Sequence, residues 1–248
     1  MLRSRQGGEP AVRGYAVTHP AGRAVLPVEA GWDQFICAEA GAMTVSTPAG
    51  VWAVPVGRGL WVPDGAPATV GNRAGVAVRT LYFDSTLGTL PGDVRVVTVT
   101  DWARALVLHT VRTCPLDLAD PVHAALLTVL TAELRMLPAE PLRLSWPRDP
   151  RATAAATGIL ADATADLDAV ARRVGVGRRT LERLFVAETG LGLGAWRRRA
   201  HVLASLDLLA SGASVTAASV AAGYTTPSAF VVAFKAELGR TPRQFLPR

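Results

Sequence analysis

An α+β chain of two unlike domains is expected. A small β-barrel or sandwich with trailing helices stands in front. Behind it stands an all-α domain with two helix-turn-helix units. Three observations predict this. Short runs rich in Val and aromatic residues, punctuated by Gly and Pro, fill the front half. Helical spacing interrupted by a glycine turn occurs twice in the back half. All of the excess positive charge also lies in the back half.

The chain has 248 residues, half of them hydrophobic and 19% charged. That balance buries a core and excludes disorder over most of the length. No apolar run approaches the ~18 residues of a membrane span. Residues 1–10 are polar and lack the apolar stretch of a secretory leader, so a cytoplasmic location without membrane partners is expected. Cys37 and Cys114 are too few for a disulfide framework and lack metal spacing. Residues 1–150 hold 13 Arg against 13 acids, whereas residues 151–248 hold 12 Arg and one Lys against 7 acids. A neutral front and a back with net charge +6 suggest a scaffold or sensor joined to a polyanion binder.

Strands are expected at 26–28, 34–38, 42–46, 51–56, 59–62, 68–70, 74–83 and 94–98. Such short, regularly spaced strands make a small barrel or a sandwich, and periodicity does not separate the two. Helical spacing begins at Trp102, Leu106, Val107 and Thr110. A second helix is expected over 120–137, capped by Asp120 and opened by Pro121. Val122, Leu126, Val129, Leu130, Leu134 and Leu137 supply its apolar face, which packs on the barrel or makes a dimer contact. Prolines 138, 141, 147 and 150 mark residues 138–150 as a linker. The domains are thus 1–137, for sensing or dimerisation, and 151–248.

Residues 167–186 meet the local demands of a helix-turn-helix. Asp166 caps the first helix, Ala171 is small at the helix crossing, and Gly175 tolerates positive φ at the turn. Val170, Val174, Val176, Leu181 and Leu184 fill the angle. The second helix would enter a major groove with Arg178, Arg179, Thr180, Glu182 and Arg183 outward. Arginine donates twice to guanine, and glutamate accepts from cytosine. Arg172 and Arg173 are placed for phosphate. A similar pattern recurs with Ser214 as cap, Ser219 as the small residue, Gly223 as the turn, and Thr226-Pro227 opening the last long helix. A rod at 195–210, about 25 Å long, joins the units, against about 34 Å for one DNA turn. Arg197, Arg198 and Arg199 crowd its first turn, where the helix dipole disfavours them and a polyanion would offset the cost.

The residues from about 152 to 246 resemble the DNA-binding domain of AraC/XylS-type transcription regulators. The resemblance is carried by Arg179-Thr180-Leu181-Glu182-Arg183-Leu184-Phe185, Glu188-Thr189-Gly190, Trp196-Arg197-Arg198-Arg199, Gly223-Tyr224, Ser228-Ala229-Phe230, Phe234-Lys235 and Gly239-Arg240-Thr241-Pro242. In front, Asp33-Gln34-Phe35, Gly50-Val51-Trp52, Pro55 and Gly59-Leu60-Trp61-Val62-Pro63 resemble the cupin-like barrel of one branch of that family. The resemblance implies a sequence-specific, cytoplasmic, nucleoid-associated regulator that binds double-stranded DNA. A small effector or a homodimer contact through the barrel would tune it, and RNA polymerase would be a partner of an activator. Base reading falls to Arg178, Arg179, Thr180, Glu182, Arg183 and Ser228. Phosphate contacts fall to Arg172, Arg173, Arg197, Arg198, Arg199, Thr226 and Lys235. Two departures stand out. Gly177 replaces the usual serine cap. Val232 stands where base-reading relatives carry arginine, so the second unit is expected to supply phosphate contacts and shape.

Phe35, Trp52, Trp61 and Tyr82 either line an effector pocket or fill the core. No metal, cofactor or catalytic residue is expected, because the barrel segments lack a His cluster and no Ser–His–Asp set is evident. Two other readings remain beside the regulator: a cupin enzyme carrying a DNA-binding module, and a constitutive DNA-binding protein with a structural barrel.

Overall fold

The computed structural model describes residues 10–25, 30–48, 50–72, 75–88 and 91–246. The expected strand at 26–28 lies outside them. Among the described residues nine strands come first: β1 Val12–His19, β2 Gly22–Val25, β3 Trp32–Ala40, β4 Ala42–Thr47, β5 Gly50–Pro55, β6 Arg58–Val62, β7 Thr69–Asn72, β8 Val76–Asp84 and β9 Arg95–Thr98. Then come α1 Asp101–Thr113 and α2 Pro121–Met136, followed by β10 Ala139–Glu140 and β11 Arg143–Leu144. The back half is helical: α3 Pro150–Ala161, α4 Leu167–Arg173, α5 Arg178–Thr189, α6 Leu193–Ala210, α7 Val215–Ala221, α8 Pro227–Leu238 and α9 Pro242–Phe245. The fold class is the expected one, an antiparallel two-sheet roll joined to an all-α part.

One sheet has the order β1-β8-β3-β6-β9-β10 and the other β11-β5-β4-β7-β2. The chain changes sheet repeatedly, between β3 and β4, β5 and β6, β6 and β7, and β7 and β8. This alternation lets two sheets close over one interior. Ile36, Leu60, Val78 and Val96 of the first sheet share that interior with Met43, Val45, Val54 and Val70 of the second. The other face of the first sheet, with Phe35, Cys37, Trp61, Leu81 and Phe83, packs under α1 and α2. At the roll's end Asp33 accepts from the Asp64 backbone N–H at 2.9 Å, and Asp64 accepts from that of Gly31 at 2.8 Å, which clamps two turns together.

Several elements escaped the sequence reading. β1 is an edge strand whose half-exposed residues give no clean alternation. α3 buries mostly alanine, Ala152, Ala155 and Ala156 with Ile159, so its apolar face is faint in the sequence. The stretch 138–150 does more than span a gap. β10 pairs with β9, and β11 pairs with β5.

The inward faces of α1 and α2 hold most of the residues expected there, with Trp102, Val122 and Val129 as the exceptions. α1 buries Ala103, Leu106, Val107 and Thr110 and leaves Trp102 exposed. α2 buries Leu127, Leu130 and Leu134 and leaves Val122 and Val129 exposed.

The helices do not hang free of the roll. α6 packs on β4, β5 and β11. Glu140 of β10 receives Arg58 of β6 at 3.3 Å, Arg240 beyond α8 at 2.6 Å, and the Thr98 hydroxyl at 2.5 Å. Both guanidinium groups lie over the ring of Phe245 in α9, at 4.6 and 5.4 Å.

Candidate nucleic-acid interface

In the first unit Asp166 accepts from the backbone N–H of Asp168 and Ala169, both at 3.2 Å, and so starts α4. Ala171 is buried at the crossing. Gly175 turns the chain with φ +75°, a conformation that a Cβ would strain. α5 then begins at Gly177 without a side-chain cap. Leu181 and Phe185 face inward. Arg179, Arg183 and Val186 face outward, at spacings of four and three. Among the described residues neither Arg179 nor Arg183 has an ion-pair partner. Like charges at i and i+4 weaken a helix, so this pair suits a partner of opposite charge. Arg178, Thr180 and Glu182 line the same open hollow as Arg179, Arg183 and Val186.

Several residues chosen from sequence have other work here. Glu182 accepts from the Leu193 backbone N–H at 3.1 Å. Its carboxylate thus caps the start of α6, where Gly192 offers no side chain. Acceptance from cytosine, the role expected of it, would compete with this cap. Arg178 is shared between Asp168 at 3.5 Å and Glu182 at 3.8 Å, and so ties α5 to α4. Arg199 is turned away from solvent, with its side chain 18% exposed. It donates to the carbonyls of Arg143 and Pro141 and pairs with Glu237 at 3.3 Å. It binds the helices to the roll, and the phosphate contact expected of it would compete with these bonds. Arg197 donates to the Ala165 carbonyl at 3.1 Å. The Arg173 guanidinium lies against Gly158 of α3. Arg172 and Arg198 are exposed, and Arg172 stands 4.0 Å from Asp166.

The second unit repeats the first. Ser214 caps α7 through the Ala217 N–H at 3.1 Å, and buried Ser219 takes the small-residue position. Gly223 has φ +77°. A Cβ there would stand 2.8 Å from the Ala163 carbonyl oxygen, so the turn rests directly on the loop between α3 and α4. Thr226 accepts from the Ala229 N–H at 3.2 Å and Pro227 opens α8. Ser228, Val232 and Lys235 are all exposed along one side of α8.

Glu188 was noticed only as part of a resemblance. It accepts from the backbone N–H groups of Arg148 and Asp149 at 2.6 and 3.0 Å and fixes the chain just before α3. A hint was present in the sequence. Glu182 and Glu188 lie six apart on a helix otherwise rich in arginine.

The four aromatics expected either to line an effector pocket or to fill the core are divided between different faces. Phe35 lies opposite Trp61 in the ladder, and both point toward α1 and α2. Tyr82 lies opposite Gln34, one residue out of phase, and so belongs to the other face. Trp52 sits in the core shared by the roll and the helices, with Arg143 over its ring. Among the described residues no group of three or more possible metal ligands comes together, and no helix is long and apolar enough to cross a membrane. Burial pushes both the Cys37 and the Cys114 thiol up to about 11, so neither is ionised near neutral pH.

His201 lies inside the helical core beside Arg197, with its Nε2 unpaired among the described residues. Burial first, then the Arg197 charge, lowers its pKa to about 4 from 6.5. The unfolded chain therefore binds a proton that the folded chain refuses between those values. Stability is full above pH 6.5 and falls as pH drops toward 4. The denaturation midpoint should lose the equivalent of about 2 kcal/mol between pH 7 and pH 5. His201→Leu should lose clearly less, and an equal loss in both proteins would place the sensitivity elsewhere.

A helix-turn-helix domain model matches residues 170–248. The HTH-type transcriptional regulator NimR of Escherichia coli is 27% identical over 218 residues, which cover 87% of this chain and 80% of NimR. The HTH-type transcriptional regulator RipA of Corynebacterium glutamicum is 32% identical over 99 residues, 39% of this chain and 30% of RipA. Among solved structures, ToxT from Vibrio cholerae aligns over 95% of this chain and 97% of its own, with 9% identity and a TM-score of 0.39. An AraC-type regulator from Chromobacterium violaceum aligns over 38% of this chain and 88% of its own, with 26% identity and a TM-score of 0.37.

Proposed function

We propose, from the premise that this chain is a DNA-binding transcription regulator of the AraC type, that α5 is its principal base-reading helix. Arg179 and Arg183 make the specific contacts, with Thr180 beside them. One observation carries this reading. Two arginines one turn apart stand exposed on the outer side of α5, while the neighbouring Arg178, Glu182 and Arg199 are drawn into internal contacts. Phosphate affinity comes from Arg172, Arg198 and Lys235, largely through counterion release, with Ser228 and Thr226 near the backbone at the start of α8. We place the division between the regulatory and the DNA-binding parts within residues 138–150.

Selection from a random duplex pool at two salt concentrations tests the base reading. An enriched motif supports it, and retention that vanishes with salt and enriches nothing opposes it. Within such a motif, Arg179→Ala should cost about 1–3 kcal/mol and relax preference at one base pair. Uniform weakening across all sequences would make Arg179 a phosphate contact.

The roll's part is regulatory. A small effector among Phe35, Trp52, Trp61 and Tyr82 would have to displace packed core, so we place control at the junction of roll and helices. The exposed row Val122, Ala125, Val129, Ala132 and Met136 on α2 repeats at three and four and suits a homodimer contact. An activating role would add RNA polymerase as a partner. Light scattering of the wild type and of Val129→Glu checks the dimer, which the substitution should dissociate.

A further inference from the structure

We propose that α8 selects thymine, through the exposed methyl groups of Val232. The inference rests on the base-reading function proposed above and assigns the second helix a chemistry unlike that of the first.

The outer side of α8 is nearly uncharged. Ser228, Ala229, Val232, Lys235 and Ala236 are exposed there, and Lys235 is the one charged residue among them. Val232 is 70% exposed, in the middle of the helix. A β-branched residue gains nothing from that position as a helix former and buries nothing there. Thr226 and Pro227 fix the start of the helix, so the row Ser228, Val232 and Lys235 is presented as one rigid edge.

In the major groove the four base pairs present hydrogen-bonding groups, and only thymine adds an apolar one, its 5-methyl. Valine set against guanine or cytosine would strip water from groups it cannot satisfy. Set against a thymine methyl it buries apolar surface on both sides. Val232 thus attracts thymine and disfavours G·C pairs at the same position. Arg179 and Arg183 of α5 have the opposite chemistry and favour guanine. One chain would then read a guanine-bearing element and a thymine-bearing element.

The test uses the full-length protein and the motif it enriches from a random duplex pool. Each thymine of the second element is replaced in turn by deoxyuridine, which lacks only the 5-methyl. Affinity should fall about fourfold for each methyl contacted, at one or two positions. Val232→Ala should bind the thymine duplex several-fold more weakly and lose most of the response to deoxyuridine. Its preference within the first element should stay unchanged, which shows that the fold is intact. Three results would overturn the inference alone: a motif confined to the first element, a second element without thymine, or equal deoxyuridine responses in the wild type and Val232→Ala. Absence of any motif would remove the base-reading premise and this inference together.

Discussion

Trp196→Ala is expected to destabilise the helical part by about 3–5 kcal/mol, read as a shift in the denaturant midpoint. Trp196 is fully buried in the first turns of α6. Its ring meets Phe185 of α5 edge-on at 5.2 Å and Trp146 at 5.7 Å. Its indole N–H donates to the Ser145 carbonyl at 2.8 Å. One side chain therefore holds α5, the rod between the two units and the chain arriving from the roll. Alanine would leave a cavity bordered by three elements and an unpaired carbonyl. Trp196→Phe keeps much of the packing and loses the hydrogen bond, so a smaller cost of about 1–2 kcal/mol is expected. A loss below 1 kcal/mol for the alanine variant would show that the neighbours collapse into the space. Specific DNA affinity should fall with Trp196→Ala even where the protein remains folded, because α5 loses its seat.

Glu140→Ala has an expected cost of similar size, about 3–5 kcal/mol. The Glu140 and Arg58 side chains are each only 7% exposed. Removing the carboxylate leaves the Arg58 guanidinium buried without its counter-charge, and burial already lowers its pKa. Arg240 is different. Its side chain is 45% exposed, so Arg240→Ala should cost well under 1 kcal/mol. Comparing the two substitutions separates the buried pair from the exposed one. Glu140 also joins β10 to the segment that follows α8, so Glu140→Ala should alter DNA affinity as well as stability. Unchanged midpoints in both variants would mean that water reaches Arg58 once the glutamate is gone.

The local features of the helices were legible in the sequence. Asp120, Asp166, Ser214 and Thr226 cap the helices they were expected to cap. Gly175 and Gly223 make the two turns at positive φ. Each such feature is settled by residues within four positions of one another, because caps and turns are closed by short-range backbone hydrogen bonds.

The unread features depend on residues far apart in the chain. Glu182 is committed to a helix start 11 residues later, Glu188 to backbone 39 and 40 residues earlier, and Arg199 to carbonyls 56 and 58 residues earlier. Phe35 and Tyr82 part company because of strand register, which no single strand contains. The buried sides of α1 and α2 were set by the sheet they cover, since each helix carries apolar residues around more than one side.

The sequence by itself determined that this protein has two capped, glycine-turned helical units behind a β-rich half, and that its positive charge lies with them. The tertiary structure alone decided which of those charges stay exposed and which are drawn into internal contacts. The reason is physical. A helix cap is satisfied within one turn, whereas a guanidinium or carboxylate takes the strongest partner that folding brings near, and chain distance sets no limit on that.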